Sequence, residues 1–494
     1  MPKPRTIRLP RPALLTEDRL ASIHQAALRI LQNTGLRLRS PEAADALGRA
    51  ASPLARPGRP APISGTGSQP VSGLRLEADR VLFDPKLVDD FVAETRAQHS
   101  GRGTVAEPDP HITLGVCQYA THLHDLQTDE IVPATADRLT EAAKFLDTLA
   151  PFGVIGKTPG TPMDAPADLQ PLLKYKIQAL HCRLGKGPVE LASPRATPFI
   201  MDMAEALGHP VTSADVYVVS PLTLGGDSLN CALAGKSRLK SLWVSNMSSL
   251  GATAPIRLGD ALALGVAEVV GAAIVAREAV GLPVEWSIRV CPFDPRAMAL
   301  TLGGPEELLL QWANEEVNAW YHGRPVGPPG GSLHSQAKLP DQQAAAERMA
   351  IMATHALFGT RLFVGIGRLS LDEVFSAEQA IIDLEIRDHV QRLISGLEVD
   401  CDPEACAAEV AAGVADGFLA LDSTVTTYQH TYWRPRLFWR GMLAEWQRTG
   451  APDLRRRAQE MVRHQLKQWD YHLEPDLRRE VERIYAHAEK QLSA

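Results

Sequence analysis

A chain of 494 residues that is 45% hydrophobic and 22% charged has material for one large core or for two to three ordinary ones. Its 51 Lys and Arg stand against 58 Asp and Glu, for a net charge of -7 with no basic run, which argues against nucleic-acid binding. The roughly 18 to 20 uninterrupted apolar residues of a membrane span are missing, and the start MPKPRTIRLPRPALL lacks the apolar stretch of a secretory signal, so a cytoplasmic protein is expected.

The first predicted element is an amphipathic helix in which Leu20, Ile23, Ala27, Ile30 and Leu31 recur at helical spacing and Gly35 is placed to end it. Residues 52 to 73 are rich in Pro, Gly and Ser and read as a surface loop. From residue 112 onward, short apolar runs alternate with helical stretches. Strands are expected at 112–120, 153–157, 188–192, 216–220, 241–245, 283–290, 324–327 and 361–367. The helical patterns fall at 135–149, 166–182, 195–207, 258–280, 305–321, 341–358 and 376–396. Repeats of this spacing predict an α/β fold, a (β/α)8 TIM barrel, with a doubly wound open sheet as the alternative. The last hundred residues are helical, and Leu454, Ala458, Met461, Val462, Leu466 and Trp469 form one apolar face suited to capping the barrel. The division expected is an N-terminal helical segment with its Pro/Gly-rich loop (1–110), the barrel (111–400) and a C-terminal helical region packed on it (401–494).

Loops that follow barrel strands form the face where chemistry occurs in this fold. The stretch PPGGSLHSQAKLPDQQAAAE (328–347) follows the seventh expected strand, so it is a candidate active-site loop. Gly330 and Gly331 permit unusual backbone and close ligand approach. His334, Ser335, Gln336 and Lys338 are placed to project into the barrel mouth, Asp341 sits at a helix N-cap, and Gln343 and Glu347 share a helical face. After the eighth strand comes Arg368, then Ser376 and Gln379 in a capping-box pattern, with Glu378, Asp383 and Glu385 along the helix as solvated or arginine-paired carboxylates. His122 and His124 form an H-x-H pair after the first strand, a pattern found in metal-dependent barrel hydrolases, but no further histidines follow strands three to six and the segment reads as a hairpin. The six cysteines contain no C-x-x-C pair, and no protein-bound metal is predicted. Neither a phosphate loop nor a Rossmann fingerprint is present.

Five blocks in order carry a resemblance: VSPLTLGGDSL (219–229), MSSLGATAPIRLGDALALGVAEVVGA (247–272), SQAKLPDQQAAAE (335–347), FSAEQAIIDLEI (375–386) and YWRPRLFWR (432–440). With these, and with LTEDRLASIHQAALRILQNTGLRL (15–38) as an opening helix, the chain resembles the trimethylamine methyltransferase (MttB-like) family of corrinoid-dependent methyltransferases, in its non-pyrrolysine branch since every residue is standard. The resemblance implies a barrel and the transfer of a methyl group from a methylated or quaternary, betaine-like amine to the Co(I) of a corrinoid. No D-x-H-x-x-G signature is present, so the corrinoid (cobalamin) is expected on a separate partner protein. A homo-oligomer is also expected.

Under this reading His334, Ser335 and Lys338 line the transfer site, and Arg368 binds a substrate carboxylate or a corrinoid side chain. Gln336 and the rings of Tyr119, Trp286 and Phe363, with Trp243 as a further strand-associated ring, contact the cation. Gly330, Gly331, Asp341, Gln343 and Glu347 support the loop. The family's Ser-Asp-Ala-Lys reads here Ser335-Gln336-Ala337-Lys338, an amide in place of a carboxylate. A metal-dependent barrel hydrolase using His122 and His124, and a non-catalytic betaine-binding relative, are the alternative readings.

Overall fold

The computed structural model describes residues 6–50, 73–100, 110–397, 399 and 401–492, so the surface loop expected at 52–73 lies outside the described residues but for Gly73. The fold is a (β/α)8 barrel. Its eight helices, one after each stave, are Ala136–Asp147, Gln170–His181, Thr197–Ala206, Asp227–Gly235, Leu258–Val280, Pro305–His322, Gln342–Leu357 and Ala377–Ile394. The helix Asp227–Gly235 was not anticipated: its nine residues span barely two turns, too few for an amphipathic period to stand out.

Parallel pairing joins the staves in two arcs. In one, Leu362–Val364 pairs with Thr113–Gly115, which pairs with Val154–Ile155. In the other, Ser213–Val219 pairs with Ser241–Ser245, which pairs with Val284–Ser287. Two expected strands are corrected. Residues 188–192 occupy the third position without ladder hydrogen bonds, and 324–327 are irregular, the seventh position being taken by Ser332 in a parallel bridge to Val364. The reason for the shift is Gly331. Val364 N–H donates to the Gly331 carbonyl at 2.7 Å, and a Cβ on Gly331 would overlap the Leu362 carbonyl, so only glycine lets the seventh chain approach the eighth here.

The opening helix Glu17–Asn33 is capped by Thr16 and buries Leu20, Ile23, Ala27, Leu28 and Leu31. Gly35, in the left-handed region at φ 63°, ends it as expected. This helix packs on Leu258–Val280, where Gly271 makes room for Leu31 and Leu36. Leu258–Val280 is long and apolar enough to cross a membrane by length and composition, yet most of it is buried within the fold, and its Glu268 is fully buried. It is a core helix; each Leu, Val or Ile side chain it buries is worth about 1.5–3 kcal/mol. Leu36–Leu38 pairs in parallel with Thr223–Leu224, which ties the N-terminal segment to the barrel sheet.

At the other end Leu454–Leu466 lays Ala458 and Val462 against Ala377–Ile394. Of the carboxylates expected to be solvated or arginine-paired, Glu378, Asp383 and Glu385 are all buried, and the first two are paired with arginines. Glu378 meets Arg455, Glu385 accepts from the backbone N–H groups of Arg436 and Phe438, and Asp383 pairs with Arg348 at 2.9 Å with neither side chain reached by solvent.

Candidate functional site

Strand alternation divides the barrel staves into two faces. Leu114, Val154, Val216, Val218, Leu242, Val244, Trp286 and Phe363 point outward into the packing beneath the helices. The alternate residues Tyr119, Ile155, Asp215, Tyr217, Trp243 and Val364 face the lumen and are partly or largely open to solvent; Tyr119 is 49% exposed and Trp243 40%. The interior is therefore a water-reached cleft with chemistry on its walls. Tyr119, Ile155 and Val364 stand at or just past the C-terminal ends of their staves, the end that carries active sites in this fold, while Asp215 and Trp243 lie deeper along theirs.

Four lumen residues from the first, third and fourth stave positions converge. Tyr119 stands close enough to Glu190 and Tyr217, and Tyr217 to Asp215, for their polar ends to interact. Burial, followed by the charge of Glu190, raises the Asp215 carboxyl to about 6. The same two causes push the Tyr119 and Tyr217 phenols up, so both remain neutral donors. Close by, buried Lys174 donates to the Gln118 carbonyl at 3.3 Å; burial lowers its ammonium while Glu190 opposes the shift. Two carboxylates beside neutral aromatic rings form an arrangement that favours an organic cation: each face-on ring contributes about 0.5–2 kcal/mol and the carboxylates supply the counter-charge.

The loop 330–347 is held by one carboxylate. Glu347 Oε2 accepts from Ser335 Oγ at 2.7 Å and from Gln336 N–H at 2.9 Å, and its Oε1 accepts from Gln343 Nε2 at 2.8 Å. Asp341 caps the following helix through Ala344 N–H at 3.1 Å. The Gly330 carbonyl accepts from His355 Nδ1 at 2.8 Å, and the Gln336 side-chain amide donates to the Leu300 carbonyl. His334 is buried, with Nδ1 2.6 Å from Glu307 Oε1 but too bent for a well-formed hydrogen bond. Burial pushes its imidazole down to about 4, with Arg368 adding to the effect, so it is neutral. Burial works against the Glu307 charge, but His334, the Gly303 N–H at 2.5 Å and Arg289 hold that carboxyl below its ordinary range. Lys338 is exposed and donates to Ser370 Oγ at 3.0 Å.

Several sequence-based placements change. Trp286 and Phe363 face the helices, fully buried, because the strand phase turns them away from the lumen; Trp286 packs against Tyr321 and His322. Neither ring meets a lumen ligand. Arg368 is consumed locally: its guanidinium donates to the carbonyls of Leu333 and Val364, to Cys117 Sγ and to Asp372. That leaves it little to offer a substrate carboxylate. Ser335 turns its hydroxyl into the loop, toward Glu347, and His334 is closed off with Glu307, so both organise the rim from beneath. His122–His124 pairs antiparallel with Ile131–Pro133, the hairpin expected, and His124 has both ring nitrogens engaged, by Ser376 at 3.1 Å and Asp129 at 2.7 Å. Among the described residues no three His, Cys, Asp or Glu side chains converge as metal ligands.

Glu190, Asp215, Tyr217, Lys157, Arg289 and Glu307 were missed. For most of them a signal was present: a polar residue interrupting an apolar strand run, Glu190 in PVELA or Arg289 in PVEWSIRV, faces the lumen when its neighbours face the helices. Glu268 was missed as well. On the apolar helix Leu258–Val280 it accepts from Ser220 Oγ, Ser248 Oγ, Asn246 Nδ2 and Leu222 N–H at 2.7–2.9 Å, fixing the loops after the fourth and fifth staves.

A family model described as trimethylamine methyltransferase (MTTB) matches residues 69–492. Trimethylamine methyltransferase MttB2 of Methanosarcina mazei is 29% identical over 262 residues, 53% of this chain and 52% of that protein, so in this match the chain spans about half the length of its curated relative. Trimethylamine methyltransferase MttB of Desulfitobacterium hafniense is 24% identical over 468 residues, covering 90% of this chain and 87% of its own. A glycine betaine methyltransferase of Desulfitobacterium hafniense is 23% identical over 450 residues and is aligned over 89% of each chain.

Proposed function

The chain belongs to the trimethylamine methyltransferase family, and from that membership we propose that it transfers a methyl group from a betaine-like, quaternary or methylated amine held in the barrel lumen to a corrinoid carried by a separate protein. The observation that carries this reading is the convergence of Tyr119, Tyr217, Glu190 and Asp215, with Trp243 on the same lumen wall. The corrinoid supplies a Co(I) nucleophile when its carrier is docked. What the chain supplies is position: a quaternary ammonium already bears its charge, expels a neutral amine, and needs no obligatory general acid. Orienting one N-methyl carbon toward the mouth and stripping its water is then the main task.

The rim suits a large apolar guest. Val219, Met247, Ile256 and Met298 are exposed on the loops beyond the fourth, fifth and sixth staves and would meet a corrinoid or its carrier. Arg289, beside Glu307, would face its polar substituents. His334, Ser335 and Lys338 remain the loop residues nearest this role, the first two by holding the rim and Lys338 through its exposed amino group. Gln336 is tied to Leu300 on the preceding loop.

We also propose that the chain self-associates. The described residues between 397 and 443 include the helices Pro403–Asp416 and Asp422–Thr431 and form an arm on which Leu397, Val399, Leu419, Tyr432 and Met442 are each largely exposed, Leu419 by 88% and Val399 by 86%. Large apolar side chains left open in this number mark an interaction surface. The arm leaves the C-terminal end of the helix Ala377–Ile394, the barrel face opposite the mouth, so a second copy seated there leaves the mouth free. A cytoplasmic setting belongs to the same reading, with all six thiols unpaired.

The test is to mix the protein with a reduced corrinoid and a panel of betaines and methylamines while following the cobalt absorbance. Loss of the Co(I) spectrum with one amine is the expected result. A folded protein that binds an amine without any spectral change would support a binding protein instead, and one that binds none would overturn the lumen assignment.

A further inference from the structure

Among the described residues, one cation of the lumen has no neutralising partner. Lys157 stands two residues past Ile155, the end of the paired strand Val154–Ile155, and the phase there is fixed independently on both sides. Gly156 faces outward, where an added Cβ would lie 2.9 Å from the Asp147 backbone, and Thr158 turns the same way, into the helix packing, to donate to the Lys174 carbonyl at 3.0 Å. Ile155 and Lys157 therefore share the lumen face. Lys157 is only partly open to solvent, and among the described residues it makes no hydrogen bond or ion pair. Burial alone pushes its ammonium down, with no carboxylate to restore it.

The other cations of the cleft are engaged. Arg368 is shared among Asp372, Cys117 and two carbonyls, Arg289 stands 3.7 Å from Glu307, and Lys174 is set against the Gln118 carbonyl and the field of Glu190. Lys174 also feels Lys157, which places Lys157 within electrostatic reach of the Glu190 side of the lumen. The cleft is thus bipolar: carboxylates and aromatic rings at the third and fourth staves, and an unpaired ammonium at the second.

We propose that Lys157 is the anion-binding pole of the lumen and sets its specificity: the ligand is a methylated amine that also carries a carboxylate, its ammonium held at Tyr119, Glu190 and Asp215 and its carboxylate at Lys157. This rests on the lumen being the methylated-amine site. An uncompensated ammonium in a partly dry cleft is unfavourable and a ligand carboxylate relieves it, whereas an amine without an anionic group leaves Lys157 unpaired and gains nothing from it. The geometry takes from Arg368 the carboxylate-binding role and gives it to a lysine that closes an apolar strand run.

The experiment measures binding to the full-length chain by calorimetry, for wild type, Lys157→Met and Lys157→Arg. The probes are trimethylammonioacetate and choline, which share an ammonium head and differ in a carboxylate against a hydroxyl. Wild type is expected to prefer trimethylammonioacetate by tenfold or more. Lys157→Met should weaken that probe about tenfold or more, to the level of choline, with choline binding unchanged; Lys157→Arg should keep most of the preference. Removal of an unpaired buried charge should leave the melting temperature of Lys157→Met no lower than that of wild type, so lost discrimination cannot be laid to unfolding. An undiminished preference in Lys157→Met would overturn the assignment of Lys157 while leaving the amine site standing. Failure of both probes to bind wild type would remove the amine site, and this proposal with it.

Discussion

The Asp215 carboxyl gives a direct way to test the lumen as a cation site. Burial and the neighbouring charge of Glu190 raise it to about 6 in the free protein. A quaternary ammonium bound about 5 Å away, at an effective dielectric near 20, would favour the ionised form by roughly 3 kcal/mol, or about two pH units, returning the group to the ordinary range near 4. Between these two values each ligand bound releases a proton. Affinity should then fall about tenfold per pH unit as pH drops from 6 toward 4, up to roughly 100-fold in all. Tetramethylammonium is the suitable probe because it has no titratable group, and Trp243 on the lumen wall offers a fluorescence signal alongside calorimetry. In Asp215→Asn the slope across this window should vanish, and binding at pH 7.5 should be weaker than in wild type. A wild-type affinity that stays flat from pH 7.5 to 5, or a slope that survives in Asp215→Asn, would refute the placement of the cation beside this carboxylate.

Other consequences can be measured without a substrate. Arg348→Met leaves the buried Asp383 without its ion-pair partner, and should cost about 3–5 kcal/mol in chemical denaturation; Arg348→Met combined with Asp383→Leu should recover much of that loss. Gly331→Ala drives a methyl group into the Leu362 carbonyl and should lower stability by about 2 kcal/mol or more, with amide exchange accelerated at Leu333 and Val364, where the seventh and eighth chains meet. Leu419→Glu together with Val399→Glu should halve the mass seen by light scattering, or reduce it to that of one chain, while leaving tetramethylammonium binding intact; an unchanged mass would remove the arm as the association surface. Glu347→Ala frees Ser335, Gln336 and Gln343 together, and is expected to abolish methyl transfer with a smaller effect on amine binding, since the rim is disordered but the lumen walls are not.

Much of the barrel was legible because its signals are local. The apolar runs at 112–120, 241–245 and 361–367 and the helical periods between them depend on residues a few positions apart, and each element had to bury one face. The seventh position was misplaced because 324–327 reads as extended chain while the pairing is decided by Gly331, whose missing side chain matters only against the Leu362 carbonyl across the gap. The loop 330–347 was legible as an irregular rim after a strand. That Ser335 points down to Glu347 and His334 to Glu307 depends on a helix more than ten residues away or on another unit of the barrel.

The amino-acid sequence by itself determined the repeating strand and helix units, the family, the opening helix with its Gly35 terminus and the position of a rim loop, since all of these rest on composition, period and ordered motifs. Only the tertiary structure decided which side chains share the lumen. Strand phase turned Trp286 and Phe363 toward the helices and brought Tyr119, Glu190, Tyr217 and Asp215 together from residues nearly a hundred positions apart. It also showed that Arg368 is occupied and that Lys157 has no partner among the described residues. Such facts depend on how the staves face one another, because whether a charge is paired is set by what stands across the cleft and not by what stands beside it in the chain.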